Sequence, residues 1–268
     1  MSYIMNIFQY TFMQNALIAI LIAAIIGGIM GYLILLRRLA FAAHGLGHIS
    51  FTGAAFALLL HISPIWGQFL STLSAGFLIG LMGHTLQKRE VTIAMVLSLM
   101  LGLGMLCLHF YNGSTNAATN LLFGDVLGVS MHSIQWMGIA ACITLIILII
   151  ILRPLIFISL LPQLAEVKDI SSRFLSILFM LLVAASVTLV NQIVGALLVF
   201  VLLIGPAAIS FNLTQSFWKG IAVSVILAVL LSFSALISAF YADLPVSVCL
   251  TGWVVLFYGL SLIIKREE

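Results

Sequence analysis

His44 and His48 stand four residues apart inside an apolar stretch, Leu39 to Leu60, that is long enough to cross a bilayer. The i, i+4 spacing puts both imidazoles on one helical face, close enough to hold one ion between them. At a rise of ~1.5 Å per residue, His44 lies ~8 Å and His48 ~14 Å in from Leu39, the second near the midplane of a ~30 Å hydrocarbon core. Ionisable side chains at that depth are costly, so they point to a transport path. Imidazole nitrogen suits borderline ions such as zinc, whereas harder manganese prefers carboxylate oxygen. The bland alternative is that each ring hydrogen-bonds a neighbouring helix. The pair is read here as a metal site, with zinc the first candidate and manganese or iron(II) behind it.

The elements that carry the pair follow from composition. The chain has 268 residues, 64% of them hydrophobic and 6% charged, which excludes an ordinary soluble domain. Lipid must solvate most of its surface, so the backbone has to satisfy itself in helices. Apolar runs such as Ile143 to Leu152 are continuous, unlike the alternation of a membrane β-barrel. The expected fold class is an all-α polytopic membrane protein. The first apolar run lacks a basic leader and continues to spanning length, so a span rather than a cleavable signal is expected there. Cys107, Cys142 and Cys249 all fall in apolar runs and read as buried small hydrophobes. The formal net charge of +3 is a topological signal and does not suggest a nucleic-acid partner.

Polar breaks divide the chain into nine candidate helices. They are Thr11 to Leu36, Leu39 to Leu60, Pro64 to Leu86, Val91 to Tyr111, His132 to Ile158, Phe174 to Val190, Val194 to Phe211, Phe217 to Phe240 and Val246 to Ile264. The sixth and seventh are short and closely joined, so eight crossings result if one of them is re-entrant. With the N-terminus outside, Arg37, Arg38, Lys88, Arg89, Arg153, Lys168, Arg173, Lys219, Lys265 and Arg266 all fall on the inner side, as the positive-inside rule asks. The expected outer connections are poor in charge: Ile62 to Ser63, Asn112 to Asn120, Asn191 to Gln192 and Tyr241 to Pro245. The polar insert of residues 159–173 has room for a short amphipathic helix at the inner surface. No convincing internal repeat supports an inverted-repeat secondary carrier.

Several segments are similar, in order along the chain, to the metal-ion class of ABC importer permeases, the membrane subunits that carry zinc, manganese or iron(II). The most specific runs from Val194-Gly-Ala-Leu-Leu-Val through Gly205-Pro206-Ala-Ala208. Leu36-Arg-Arg-Leu-Ala-Phe41 precedes the His44/His48 segment; Leu122-Phe-Gly-Asp125, Pro162-Gln-Leu-Ala165 and Asp243-Leu-Pro245 match further elements. The resemblance covers nearly the whole chain. It implies a single transmembrane permease domain over residues 1–268, with a cytoplasmic coupling segment at 159–173.

The resemblance also implies roles. Pro162, Gln163, Ala165 and Glu166 would seat the coupling segment on a separate cytoplasmic ATP-binding subunit. That subunit is needed because the chain has no Walker-type Gly-Lys-Ser/Thr loop of its own, and the chain is not expected to be an enzyme. The other implied partners are an extracytoplasmic metal-binding protein, a second copy of the chain and membrane lipid, all at a bacterial inner membrane. No resident cofactor is implied, only a transported divalent ion. The chain departs from the family pattern at His44, where Asp is usual, at Thr52-Gly53 in place of Pro-Gly, and at Leu161 and Asp169 in the coupling segment. Two rival functions are a permease for metal chelates such as haem or siderophores, and an ion-coupled secondary carrier. An intramembrane metalloprotease is discounted, because His44-x-x-x-His48 lacks the Glu that would activate water.

Other candidates carry less. His61, His109 and His132 fall near outer membrane ends, where guiding ions and simple interfacial placement explain them equally well. Asp125 and Asp243 are the acids placed outside, with loop capping their expected role. Gly45 and Gly47 flank the histidines and would let that helix bend, and Gly205-Pro206 would kink the seventh.

Overall fold

A computed structural model describes residues 10–81, 86–111, 121–126, 128–160, 172–196 and 198–267. Among them run nine long helices: α1 (Thr11–Leu36), α2 (Ala40–Leu59), α3 (Pro64–Leu81), α4 (Leu86–Phe110), α5 (Met131–Leu160), α6 (Ser172–Val194), α7 (Val199–Leu213), α8 (Phe217–Ala242) and α9 (Val246–Glu267). Seven are long and apolar enough to cross a membrane, all but α2 and α7. The 15 residues of α7 reach only about 22 Å, short of the hydrocarbon core. Length is not what α2 lacks; His, Gly, Ser and Thr crowd its middle, and these are largely buried.

The boundary between the sixth and seventh helices differs from expectation. Asn191 and Gln192 are not a loop but the last turn of α6, and the break comes at Gly195, whose φ is 85°. A left-handed glycine after the last helical residue is the common way to end a helix. The Gly195 amide donates to the Asn191 carbonyl at 2.9 Å, and its own carbonyl accepts from the Val199 amide at 3.0 Å, which starts α7. Helix α7 then continues through Pro206 to Leu213.

The chain divides into two compact units. One comprises the described residues of Met1–Leu35, Thr119–Ala141 and Leu189–Glu268. In it α7, α8 and α9 pack on one another. Small residues let α1 approach closely: a Cβ at Gly31 would strike the Leu203 carbonyl, and one at Gly28 would meet the Val225 backbone. Ser224 donates to the Gly28 carbonyl at 2.8 Å across that crossing. Tyr32 stacks on Phe211 with centroids 4.5 Å apart.

Two of the segments singled out in the sequence meet in this unit. The Ala196 amide donates to the Leu121 carbonyl at 3.2 Å, and Gly195 lies against Gly124, itself at φ 79°. A Cβ on either would enter the other's backbone. Gly195→Ala is therefore expected to destabilise the protein by about 1–3 kcal/mol, the cost of a strained backbone. A lowered Tm in lipid or detergent is the measurement.

The other unit comprises the described residues of Leu36–Ala118 and Cys142–Thr188. Here α2 packs on α3 and α4. Helix α3 runs antiparallel to α6: Thr72 hydrogen-bonds Thr188 at 2.7 Å, Gly76 faces Met180 and Ala184, and Gly80 faces Ile177.

Candidate functional site

Helix α2 is unbroken from Ala40 to Leu59, through Gly45 and Gly47. Gly45 admits α4, since a Cβ there would lie 3.0 Å from Ile93 Cγ2. About 80° around α2 from Gly45, α3 is met still more closely: Gly53 and Gly67 face each other backbone to backbone. Two hydroxyls grip the helix just after the second histidine. Thr52 Oγ1 lies 3.2 Å from the His48 carbonyl and 2.5 Å from that of Met100 on α4. Ser71 Oγ on α3 lies 3.2 Å from the Ile49 carbonyl.

On this frame the two imidazoles come together. Their centroids are 4.7 Å apart and their planes meet at 89°. His48 is buried and His44 half-buried. The separation suits a shared ion: with a nitrogen–metal distance of about 2.1 Å and a ring radius of about 1.1 Å, two ligands near the tetrahedral angle have centroids about 5 Å apart. At about 100° per residue, Gly53 is about 180° around α2 from His44, so the pair occupies the edge turned away from α3. A tetrahedral site needs four donors. Among the described residues, no group of three or more His, Cys, Asp or Glu gathers.

The remaining candidates fall elsewhere. His61 and His109 are exposed, and His132 accepts from Trp136 Nε1 at 3.1 Å on the exposed first turns of α5. Asp125 Oδ1 accepts from the Gly128 amide at 2.9 Å, and Asp243 ends α8 in the left-handed conformation, φ 54°. Both acids thus take the loop and cap positions expected of them. They also line one cleft of about 380 Å³ with Phe123, Phe240 and Pro245, a convergence that no local pattern announces. Pro162, Gln163, Ala165 and Glu166 lie outside the described residues.

The profile of the ABC 3 transport family matches residues 9–265. The chain is 28% identical over 262 residues to the manganese import system permease protein ScaB of Streptococcus parasanguinis, covering 97% of this chain and 93% of that protein. It is 30% identical over 221 residues to the manganese transport system membrane protein MntC of Listeria innocua, covering 82% and 78%. The fold is similar to that in the solved structure of PsaBC from Streptococcus pneumoniae in complex with Fab, with a TM-score of 0.85 at 23% identity, covering 97% of this chain and 94% of that one.

Proposed function

The chain belongs to the ABC 3 transport family, and from that premise we propose that it is the permease subunit of an ATP-driven importer for a divalent transition-metal ion, zinc first. The observation that carries the reading is the His44/His48 pair on α2, with ring centroids 4.7 Å apart. Two neutral imidazoles favour a borderline ion over a hard one. They also bring no negative charge, so the ion is held weakly enough to move on. A second copy of the chain would supply two more nitrogens and complete four-coordination on a shared axis. Manganese is the second reading, favoured by the relatives named for it.

The rest of the proposal concerns topology and partners. Residues 1–268 form one permease domain in a bacterial inner membrane, with nine crossings, the N-terminus outside and the C-terminus cytoplasmic. The basic residues support this, since all fall on one side in that arrangement. A cytoplasmic ATP-binding subunit engages residues 159–173 through Pro162, Gln163, Ala165 and Glu166, and an extracytoplasmic metal-binding protein delivers the ion. The test is uptake of radiolabelled zinc, manganese and iron(II) by proteoliposomes holding the complete complex. ATP-dependent accumulation of zinc, outcompeting the others, is expected. Preference for manganese would move the assignment to the second reading. Uptake that needs no ATP would replace the importer by an ion-coupled carrier.

A further inference from the structure

Helix α1 ends at Leu36 and α2 begins at Ala40, with the chain turning at Arg38, φ 55°. A left-handed arginine is uncommon, so this short turn is held by its surroundings. Its neighbour Arg37 reaches α6. Arg37 Nη2 donates to Ser176 Oγ at 3.3 Å, and the guanidinium carbon stands 4.9 Å from the centre of the Phe179 ring. Ser176 and Phe179 are three apart, on one face of α6, and both are buried. They occupy the first turns of that helix, which begins at Ser172. A planar guanidinium that stacks on an aromatic ring and donates sideways fixes direction as well as distance, which an ammonium does not.

We propose that Arg37 is a positioning residue that carries movement of α6 to α2, and so to His44 and His48. This rests on the importer reading, in which force enters through residues 159–173, just before α6. One side chain on the turn that opens α2 grips the start of α6. Displacement of α6 then reaches the histidine helix at its first turn. A second route exists through packing, from α6 to Gly76 and Gly80 of α3 and from α3 to Gly53 of α2. The experiment has to separate the two.

The complete complex in proteoliposomes, with wild-type chain, Arg37→Gln, Arg37→Lys, Phe179→Leu or Phe179→Tyr, is assayed for metal ions moved per ATP hydrolysed. Arg37→Gln and Phe179→Leu are expected to lower that ratio by roughly two- to thirtyfold, the span of changes along a coupling path, while ATP hydrolysis persists. Phe179→Tyr keeps the ring face and is expected to keep the ratio. A milder variant, Ser176→Ala, covers the case in which Arg37→Gln does not assemble, and is expected to lower the ratio in the same direction. An unchanged ratio in Arg37→Gln, Phe179→Leu and Ser176→Ala, or transport and hydrolysis falling together, would overturn the proposal in favour of the packing route. A second measurement needs no cargo: the labelling rate of a cysteine at exposed Phe41 (Phe41→Cys, native cysteines replaced) with and without ATP and vanadate. ATP is expected to change that rate in wild type and not in Arg37→Gln. A change that survives Arg37→Gln, or none in wild type, also overturns the link. Wild-type complex that moves no metal yet shows the ATP-dependent labelling change would sink the importer reading alone.

Discussion

His44→Ala/His48→Ala is expected to lower ATP-dependent metal uptake by on the order of 100-fold or more, since even outer-sphere changes at metal sites cost about 10–100-fold. The complex should still assemble. Alanine is the best helix former, and Gly45, Thr52 and Gly53 supply close contacts between α2 and its neighbours. Each single variant leaves one nitrogen donor and should retain part of the activity. His44→Asp offers a harder ligand in the same place, so it should raise manganese uptake relative to zinc. If the double variant transports as well as wild type, the rings only pack against each other and the ion travels elsewhere.

The helices were legible because lipid leaves little choice: apolar runs of spanning length have to be helical, and polar breaks mark their ends. Most helix ends fall within three residues of expectation; the start of α4, at Leu86 and not Val91, and the boundary between α6 and α7 do not. At the latter the polar pair Asn191–Gln192 reads as a loop, whereas both lie in the final helical turn, Asn191 buried and Gln192 half-buried. Gly195 was the better signal, one residue after Val194. The histidine pair was legible because i, i+4 is a local pattern. Nothing local announces that Arg37 meets Ser176 and Phe179, or that Asp125 and Asp243 share a cleft. Those contacts join residues far apart in the chain, and their side-chain types have ordinary uses wherever they fall.

The glycines show the same division, and one of them carries the other large effect. Sequence marks them as close-packing residues but does not say which helix each admits. At Gly53 a Cβ would enter the Gly67 carbonyl and the Ser71 side chain, and at Gly67 it would enter the Gly53 carbonyl. Backbones that meet this way cannot yield as a flexible side chain would. Gly53→Ala is therefore expected to cost about 1–3 kcal/mol, the range for overpacking, and Gly53→Leu to prevent assembly. Gly53 lies about 7.5 Å along α2 from His48, so forcing α2 from α3 also moves the imidazoles. Metal uptake per assembled complex should fall in Gly53→Ala, beyond what lower yield explains. Gly102 on α4 is the control, because a Cβ there meets nothing within 4 Å. Gly102→Ala should be neutral or stabilising by up to about 1 kcal/mol, since alanine favours the helix. Thermal melts of the two variants in the same lipid separate the cases. Were Gly53→Ala to behave like Gly102→Ala, the tight α2–α3 crossing would not be what holds the histidines in register.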